Sequence, residues 1–380
     1  MQQFPLVLFS GLPMQTSVDT SLFTCDPNFY YLTGIASAGW LFINDGTHTT
    51  LVKPKDNEHI ELWNGAADIQ STVREFDQIV SHDEGWKIIE GLAKTHETVF
   101  STNYKTSYNH DDIVVNSSSE QIWSRLESLF TNVVDARDEL KKLRAIKSDT
   151  EIEKMRQSIN VTVEAFKQAK GSIGKVRYEY ELEAEFSYFF RRNNAHHAYE
   201  PIVAGGKNSL ALHYIDNTQP LPENGLVLID IGARSNGYNA DITRTYAVGM
   251  PTEREVAVHA AVENAHHKII GLIKPGVSFE EYQKSSDEIM KQALKDLGLL
   301  ESFNDKETYR KYFPHAVSHG LGLDVHESLG GNKEFKAGMI LTVEPGIYIL
   351  EEGIGVRIED DILVTEAGNE NLSADLPTAL

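Results

Sequence analysis

The sequence predicts an α+β protein with two domains, and three observations lead to this prediction. The chain has 380 residues, which is enough for two cores because a domain usually holds about 100–200 residues. A charge-rich segment at residues 135–142 interrupts the apolar pattern, so we expect a smaller α/β domain at residues 1–140 and a larger domain at residues 141–380. In the larger domain, long amphipathic helices alternate with hairpin-like strands, which favours α+β over a doubly wound parallel sheet.

The first domain is predicted from one hairpin and its flanks. Residues 40–43 and 49–52 have strand patterns, and Asn44-Asp45-Gly46 between them is a turn signal. An aromatic segment at residues 28–34 ends in glycine, and residues 120–130 have helical spacing. We expect the domain to be architectural, with these side chains at its solvated surface: His48, His59, His82, His96, Asp111 and Asp112.

Four long helices are predicted in the second domain. Ser148 offers an N-cap for the first helix, whose apolar residues recur at helical spacing until Gly171. The other three helices are predicted at residues 180–191, 253–273 and 278–297, with the strands between and after them.

Composition excludes several classes of partner. The formal net charge of −21 argues against nucleic acid and anionic membranes. The single cysteine, Cys25, excludes an internal disulfide framework and favours a reducing compartment. The first residues lack the basic segment of a signal peptide, and apolar runs are too short for a membrane span. We therefore expect a cytoplasmic protein.

Two aspartates, Asp230 and Asp241, lie in apolar strand patterns within residues 225–248. Burying a carboxylate costs several kcal/mol, about 3 or more, unless it is paired or binds a metal. Arg234 and Arg244 could pair with them. In a strand over residues 239–245, however, Asp241 and Arg244 point to opposite faces, so we expect another source of positive charge.

Three later segments carry candidate ligands. The first contains His315, His319 and His326 among glycines, which exclude a continuous helix. The second places Glu344 at a strand end before Pro-Gly, and the third places Glu359 in an alternating strand. Each segment has a simpler interpretation alone: hydrogen-bonded core histidines, a glutamate at a turn, or a strand whose face is laced by salt bridges among Arg357, Glu359 and Asp361.

Taken together, these residues predict a metal centre. Asp230, Asp241, Glu344 and Glu359 would repel one another if they converged, and two divalent cations would cancel their formal charge. Oxygen-rich ligation with one imidazole, from His319, suits Mn²⁺, Co²⁺, Fe²⁺ or Zn²⁺. Paired metals activate a water at neutral pH, so the prediction is metal-assisted hydrolysis.

This ligand set and its flanks resemble the pita-bread metallopeptidases, which comprise methionine aminopeptidase, prolidase and aminopeptidase P. The resemblance covers residues from about 145 to the end, and the two-domain length resembles the proline-specific branch. Residues 226–245 and 315–327 look more like aminopeptidase P than prolidase. The implied fold is a pita-bread (creatinase/aminopeptidase) catalytic domain at residues 141–380, preceded by a creatinase-like α/β domain at residues 1–140.

The resemblance also implies a role for each ligand. Asp230 would bind one metal ion through both oxygens, and Asp241 and Glu359 would bridge the two ions. His319 and Glu344 would complete the coordination of the second ion. The implied cofactors are two divalent metal ions, with Mn²⁺ preferred and Co²⁺ or Zn²⁺ as alternatives.

The remaining implied roles concern catalysis and substrate. Glu344 would also be the general base, while His213 and His326 would donate hydrogen bonds to the scissile carbonyl or the tetrahedral intermediate. His315 would line the proline-side pocket, and Arg357 would support the metal ligands. The implied protein is a homodimer that removes the residue before a proline. The alternatives are a dipeptidase restricted to Xaa-Pro and a non-catalytic peptide-binding relative, although such relatives lack some of the ligands.

Overall fold

The computed structural model describes residues 5–13, 23–55, 74–102 and 118–380. The chain divides into two compact units, Met1–Leu143 and Arg144–Leu380. This division falls close to the boundary expected at residue 140. Three residues that were predicted to be at the surface, His59, Asp111 and Asp112, lie outside the described residues.

The described part of the first unit is built on a mixed sheet with the strand order β4-β3-β2-β1-β5-β6. The strands are β1 (Leu6–Phe9), β2 (Leu41–Asn44), β3 (Thr49–Val52), β4 (Gln78–Val80), β5 (Thr98–Ser101) and β6 (Asn132–Asp135). The helices are α1 (Pro27–Thr33), α2 (His82–Leu92), α3 (Ser118–Glu127) and α4 (Arg137–Arg144), whose last residue is assigned to the second unit. The predicted hairpin is confirmed, since β2 and β3 pair antiparallel.

Alternate residues of this sheet enter two separate cores. Leu8 and Phe42 pack into one apolar cluster, and Val7 and Ile43 into another, as expected when successive strand side chains point to opposite faces. The aromatic segment is helix α1, which ends where Gly34 adopts a left-handed conformation with φ of 74°.

The second unit, which is described throughout, contains the predicted helices. They are α5 (Asp149–Lys170), α6 (Glu179–Arg192), α7 (Glu253–Ile270) and α8 (Phe279–Asp296), and a short helix α9 (Lys306–Tyr312) was not predicted. Ser148 and Glu151 form a capping box at the start of α5. Helix α7 ends at Ile270, three residues before the predicted end at residue 273, and Gly271 is its C-cap.

Short antiparallel sheets form the rest of this unit. Their strands are β7 (His196–His197), β8 (Ile202–Gly205), β9 (Gly225–Ile231), β10 (Ala233–Ser235), β11 (Tyr238–Asn239), β12 (Ile242–Val248), β13 (Ile340–Val343), β14 (Gly346–Ile349), β15 (Ile354–Arg357), β16 (Asp360–Val364) and β17 (Asn369–Asn371). The sheet orders are β12-β9-β8, β11-β10-β7, β13-β16-β17 and β14-β15. The antiparallel pairing confirms the α+β prediction.

The main core of this unit lies where helices α7 and α8 pack with strands β13 to β16. Val262, Met290, Leu341 and Val356 are among its buried members. No helix among the described residues is long and apolar enough to cross a membrane.

Two strands that were predicted to be continuous are broken. The strand predicted over residues 239–245 divides into β11 and β12 at residues 240–241, and the alternating strand predicted around Glu359 divides into β15 and β16 at residues 358–359. At the second break the amide of Ile358 donates to Pro345 O at 3.3 Å, and that of Glu359 donates to Thr243 O at 3.0 Å. The backbone therefore changes its partner strand at this point, which side-chain alternation does not reveal.

Candidate metal centre

The four predicted carboxylate ligands lie on neighbouring strands or directly beside them. Asp230 belongs to β9 and is opposite Thr243 of β12. Asp241 directly precedes β12, Glu344 directly follows β13, and Glu359 directly precedes β16. Antiparallel pairing brings these strand ends together, so residues distant in sequence meet at one place.

His319 comes from the glycine-containing loop, which contains no helix. Its amide donates to Thr342 Oγ1 at 3.2 Å, and its carbonyl accepts the amide of Thr342 at 2.9 Å. Its Nδ1 lies 3.0 Å from Gly320 O. This contact holds the proton on Nδ1 and leaves Nε2 available as a ligand, as is usual for metal-binding histidines.

All of the predicted site residues line a single cavity of about 470 Å³. The cavity lies within the second unit, and its wall also contains apolar side chains. The predicted residues found in its wall are His213, Asp230, Asp241, His315, His319, His326, Glu344, Arg357 and Glu359.

A compact donor group occupies part of this wall. Asp241, His319 and Glu359 each offer one ligand atom, and these atoms lie within 4.8 Å of one another. His319 Nε2 is 3.5 Å from Asp241 Oδ2 and 3.5 Å from Glu344 Oε1. Four carboxylates and one imidazole around one cavity match the donor chemistry of a divalent metal centre.

The carboxylates carry more negative charge than the surrounding protein neutralises. Burial, with added repulsion from Asp230 and Asp241, raises the pKa of Glu344 to about 7 although His319 and Arg357 oppose the shift. Burial and repulsion from neighbouring carboxylates raise the pKa of Glu359 well above its usual value. Burial also raises the pKa of Asp230, against the opposing effect of Arg357. A cation would remove this penalty.

The pKa of His319 is also raised, but for an imidazole this favours the charged form. Burial alone would lower the pKa of its imidazole, but the hydrogen bond and charge of Asp241, with the charge of Glu344, raise it to about 9. A positive charge is therefore stabilised at this position, which is consistent with a place where a metal ion fits.

Arg357 neutralises the proposed ligand Asp230. It forms a buried ion pair with Asp230, while its Nε donates to Thr243 Oγ1 at 3.1 Å and its Nη1 donates to Tyr348 OH at 3.0 Å. Alternation placed Arg357 beside Glu359, but its ion pair is with Asp230. Thr243 links the two, because its hydroxyl donates to Glu359 Oε2 at 2.7 Å.

Arg244 does not neutralise Asp241, as predicted from the opposite faces of the strand. Its Nη2 lies 2.6 Å from Asp360 Oδ1, and Nη1 donates to Glu359 O at 2.7 Å. Both side chains of this ion pair are fully buried, with exposures of 0% and 2%.

Tyr199 is a site residue that the sequence analysis missed. Its hydroxyl lies 2.6 Å from Asp230 Oδ1 and 2.6 Å from Asp241 Oδ1. One hydroxyl has one proton, so it cannot donate to both carboxylates and leaves negative charge between them. The sequence around Tyr199 contains no motif that predicts a site residue. Only the fold places its hydroxyl beside the two aspartates.

Asp361 supports the backbone of Asp241, and the sequence analysis did not predict this role. It is completely buried, and its Oδ2 accepts the amide of Asp241 at 3.2 Å. Alternation placed it on the face of Glu359, but the strand break before β16 directs it to the backbone of Asp241.

The other histidines surround the donor group. The His326 ring centroid is 4.3 Å from that of His319, and burial with the nearby His319 charge lowers the pKa of His326. His315 Nε2 lies 2.9 Å from Tyr348 OH, and burial lowers the pKa of His315 to about 4. His213 is an exposed residue of the loop that follows β8. The neutral imidazoles of His315 and His326 can donate or accept hydrogen bonds.

Two family models match the chain. Metallopeptidase family M24 matches residues 153–366, and the N-terminal domain of aminopeptidase P matches residues 4–100.

Similar proteins include both aminopeptidases and a dipeptidase. The chain is 34% identical to an Xaa-Pro aminopeptidase of Haemophilus influenzae, with 98% of this chain and 90% of that protein covered. It is 30% identical to an Xaa-Pro dipeptidase of Pyrococcus horikoshii, with 94% and 93% covered. The structure of proline aminopeptidase P II from Yersinia pestis superposes with a TM-score of 0.85 at 30% identity, covering 99% of this chain and 93% of that one.

The M24 match contains every predicted ligand, and the similarity to Xaa-Pro peptidases extends over nearly the whole chain. The chain therefore belongs to metallopeptidase family M24, in its pita-bread group of Xaa-Pro peptidases, and is a peptidase.

Proposed function

We propose that this protein is an Xaa-Pro aminopeptidase that hydrolyses the bond between an N-terminal residue and a following proline. The observation that carries the proposal is the convergence of Asp230, Asp241, His319, Glu344 and Glu359 on one cavity. The similarity to Xaa-Pro aminopeptidases over nearly the full chain supports the substrate class.

Two divalent metal ions are proposed as the cofactors, with Mn²⁺ preferred and Co²⁺ or Zn²⁺ as alternatives. Asp230 would hold one ion and His319 the other, with Asp241 and Glu359 shared between them. The donor set fits, because its oxygens are buried, mutually repelling and only partly neutralised by Arg357. When bound, such ions lower the pKa of a shared water and polarise the scissile carbonyl.

Glu344 is proposed as the general base in addition to its role as a ligand. Burial raises its pKa to about 7, and its Oε2 lies 3.5 Å from His315 Nδ1. From the cavity wall, its carboxylate can take a proton from the attacking water and pass it to the leaving prolyl nitrogen.

His213 and His326 are proposed as hydrogen-bond donors to the substrate. Both line the cavity without belonging to the compact donor group of Asp241, His319 and Glu359. Donation to the oxygen that gains charge in the transition state typically contributes about 10²–10³-fold in rate.

His315 and Arg357 are proposed to form the substrate side of the cavity. Tyr348 OH joins them, being 2.9 Å from His315 Nε2 and accepting from Arg357 Nη1 at 3.0 Å. These hydrogen bonds fix one side of the cavity, which would contact the proline ring. We also propose a homodimer in the cytoplasm, which size-exclusion chromatography and cell fractionation can test.

The alternative is a dipeptidase restricted to Xaa-Pro. The similarity to the Xaa-Pro dipeptidase of Pyrococcus horikoshii is the observation that supports it. The purified protein should be chelated, supplied with Mn²⁺, Co²⁺ or Zn²⁺, and assayed on Xaa-Pro dipeptides and Xaa-Pro-Xaa tripeptides. We expect metal-dependent release of the first residue from tripeptides. Cleavage of dipeptides alone would support the alternative, and cleavage of neither would refute both.

A further inference from the structure

The loop that carries His213 is held by polar contacts. After β8 the chain makes a 3₁₀ turn at Gly206–Leu210, and residues 211–219 form neither helix nor strand. Leu212, His213 and Ile215 of this loop line the cavity, yet Ile215 is 54% exposed. Because a half-exposed apolar side chain anchors a loop weakly, another interaction must fix its position.

Glu179, the first residue of helix α6, provides this interaction. It is completely buried. Its Oε1 accepts the amide of Gly205 at 2.8 Å and Asn208 Nδ2 at 2.9 Å. Its Oε2 accepts the hydroxyl of Tyr214 at 2.8 Å and the amide of Gln219 at 2.9 Å. A carboxylate has about four acceptor sites, so the loop saturates it.

The donors from Gly205 and Gln219 bind the two ends of the loop to the same carboxylate. Gly205 is where β8 ends, and Gln219 is where the chain returns, because its carbonyl also accepts the amide of Glu179 at 3.0 Å. Tyr214 is next to His213 in sequence. One buried carboxylate thus ties the beginning, middle and end of the segment that presents this histidine.

Asn217 adds a second tie at the same end. It is 1% exposed and has a positive φ of 46°. Its side chain accepts the amide of Val203 at 2.9 Å and donates to Pro201 O at 2.8 Å. The loop is therefore fastened to β8, whose Ile202 pairs with Asp230 of β9.

We propose that Glu179 is a positioning residue for peptide hydrolysis, acting by holding residues 205–219 so that His213 faces the substrate. This inference rests on the proposed function, because it assigns His213 to the substrate. Charge-assisted hydrogen bonds are roughly twice as strong as neutral ones, which explains why a carboxylate holds this position.

The test replaces Glu179 by Gln, which removes one acceptor oxygen and places an amide among donors. The matched control is Glu181→Gln on the same helix, whose carboxylate instead accepts the amides of Arg177 and Tyr178 at 2.6 and 2.8 Å. We expect E179Q to lower kcat/KM about tenfold with unchanged metal content, and to speed hydrogen exchange in residues 205–219. E181Q should do neither.

A double-mutant cycle with His213→Ala separates positioning from general destabilisation. If Glu179 acts through His213, E179Q should change kcat/KM by less than about twofold in the H213A background. An equal loss in both backgrounds, or normal activity and exchange in E179Q, would overturn the proposal. If E179Q does not fold, Tyr214→Phe removes one of the four donors and should give the same pattern, to a smaller degree.

The exchange measurement does not depend on turnover. If the wild-type protein cleaves no Xaa-Pro peptide, the proposed function fails, while faster exchange in E179Q would still show that Glu179 anchors the loop. If the wild type is active and E179Q exchanges normally, the anchor is refuted and the proposed function stands.

Discussion

Gly232 allows the turn between β9 and β10 to approach Ala240, which lies between β11 and β12 beside the candidate metal centre. Replacing Gly232 by alanine should displace the aspartates of that centre. Gly232 separates β9 from β10. A Cβ atom there would lie 1.8 Å from Ala240 O and 2.7 Å from its carbonyl carbon. These are backbone atoms, so no side-chain rotation can relieve the clash.

The size of the effect follows from this distance. To restore an ordinary contact, the backbone at Ala240 must move by about 1 Å or more, and a 1 Å misplacement in a site can cost about 10²-fold in rate. Asp241 follows Ala240, and Asp230 lies on the other strand. G232A should therefore pull apart the two aspartates that share the Tyr199 hydroxyl.

The assay measures metal binding first and hydrolysis second. Calorimetric titration of chelated G232A with Mn²⁺ should show about 10–100-fold weaker binding, and kcat/KM on an Xaa-Pro-Xaa tripeptide should fall by about 100-fold. The control is Gly368→Ala, because a Cβ there meets no atom within 4 Å. Wild-type metal affinity in a folded G232A protein would show that the close approach does not place the aspartates.

Three further predictions concern single side chains. Glu344→Gln should reduce turnover by at least about 10²-fold, because the base is lost; steady-state kinetics near wild type would contradict that role. His326→Ala should lower kcat by about 10²-fold while metal analysis finds normal content, and loss of metal would make His326 a ligand. His266 is buried, and burial lowers its pKa to about 4. The unfolded chain, with a pKa near 6.5, therefore binds this proton first as the pH falls. Stability should decrease from about pH 6.5 to 4 by up to about 3 kcal/mol, and urea unfolding of His266→Asn should show a shallower decrease over that window than the wild type does.

Regular elements were predictable because their patterns are local. The apolar spacing of Met155, Ile159 and Phe166 identifies helix α5, and all three are buried. The capping residue Ser148 marks its start within one position. Such signals depend only on helix geometry and capping chemistry, which are the same in every fold.

Asp230 and Asp241 could be predicted as candidate ligands because a carboxylate is chemically out of place in an apolar strand pattern. Asp230 lies in a strand whose residues are all buried, and an isolated carboxylate there is too costly to be structural. The roles of Tyr199 and Glu179 could not be predicted in this way. A buried tyrosine or a glutamate at a helix start is ordinary, and their partners lie 31 and 26 or more residues away.

The breaks in the strands explain how the proposed ligands converge and why their surroundings could not be predicted. Three of the carboxylates, Asp241, Glu344 and Glu359, lie between strands. Side chains alternate along a strand, so these breaks release the three carboxylates from that alternation and let them converge with Asp230, which lies within β9.

Where the backbone leaves the ladder, its amides would normally lose their hydrogen-bond partners, at a free-energy cost of about 1–3 kcal/mol each. Here each amide finds another acceptor: Glu344 donates to Val317 O at 2.9 Å, and Glu359 donates to Thr243 O at 3.0 Å. The amide of Asp241 donates to the carboxylate of Asp361 at 3.2 Å. The interruptions are therefore stable parts of the fold, and each holds its ligand between β-structure on both sides before any metal binds.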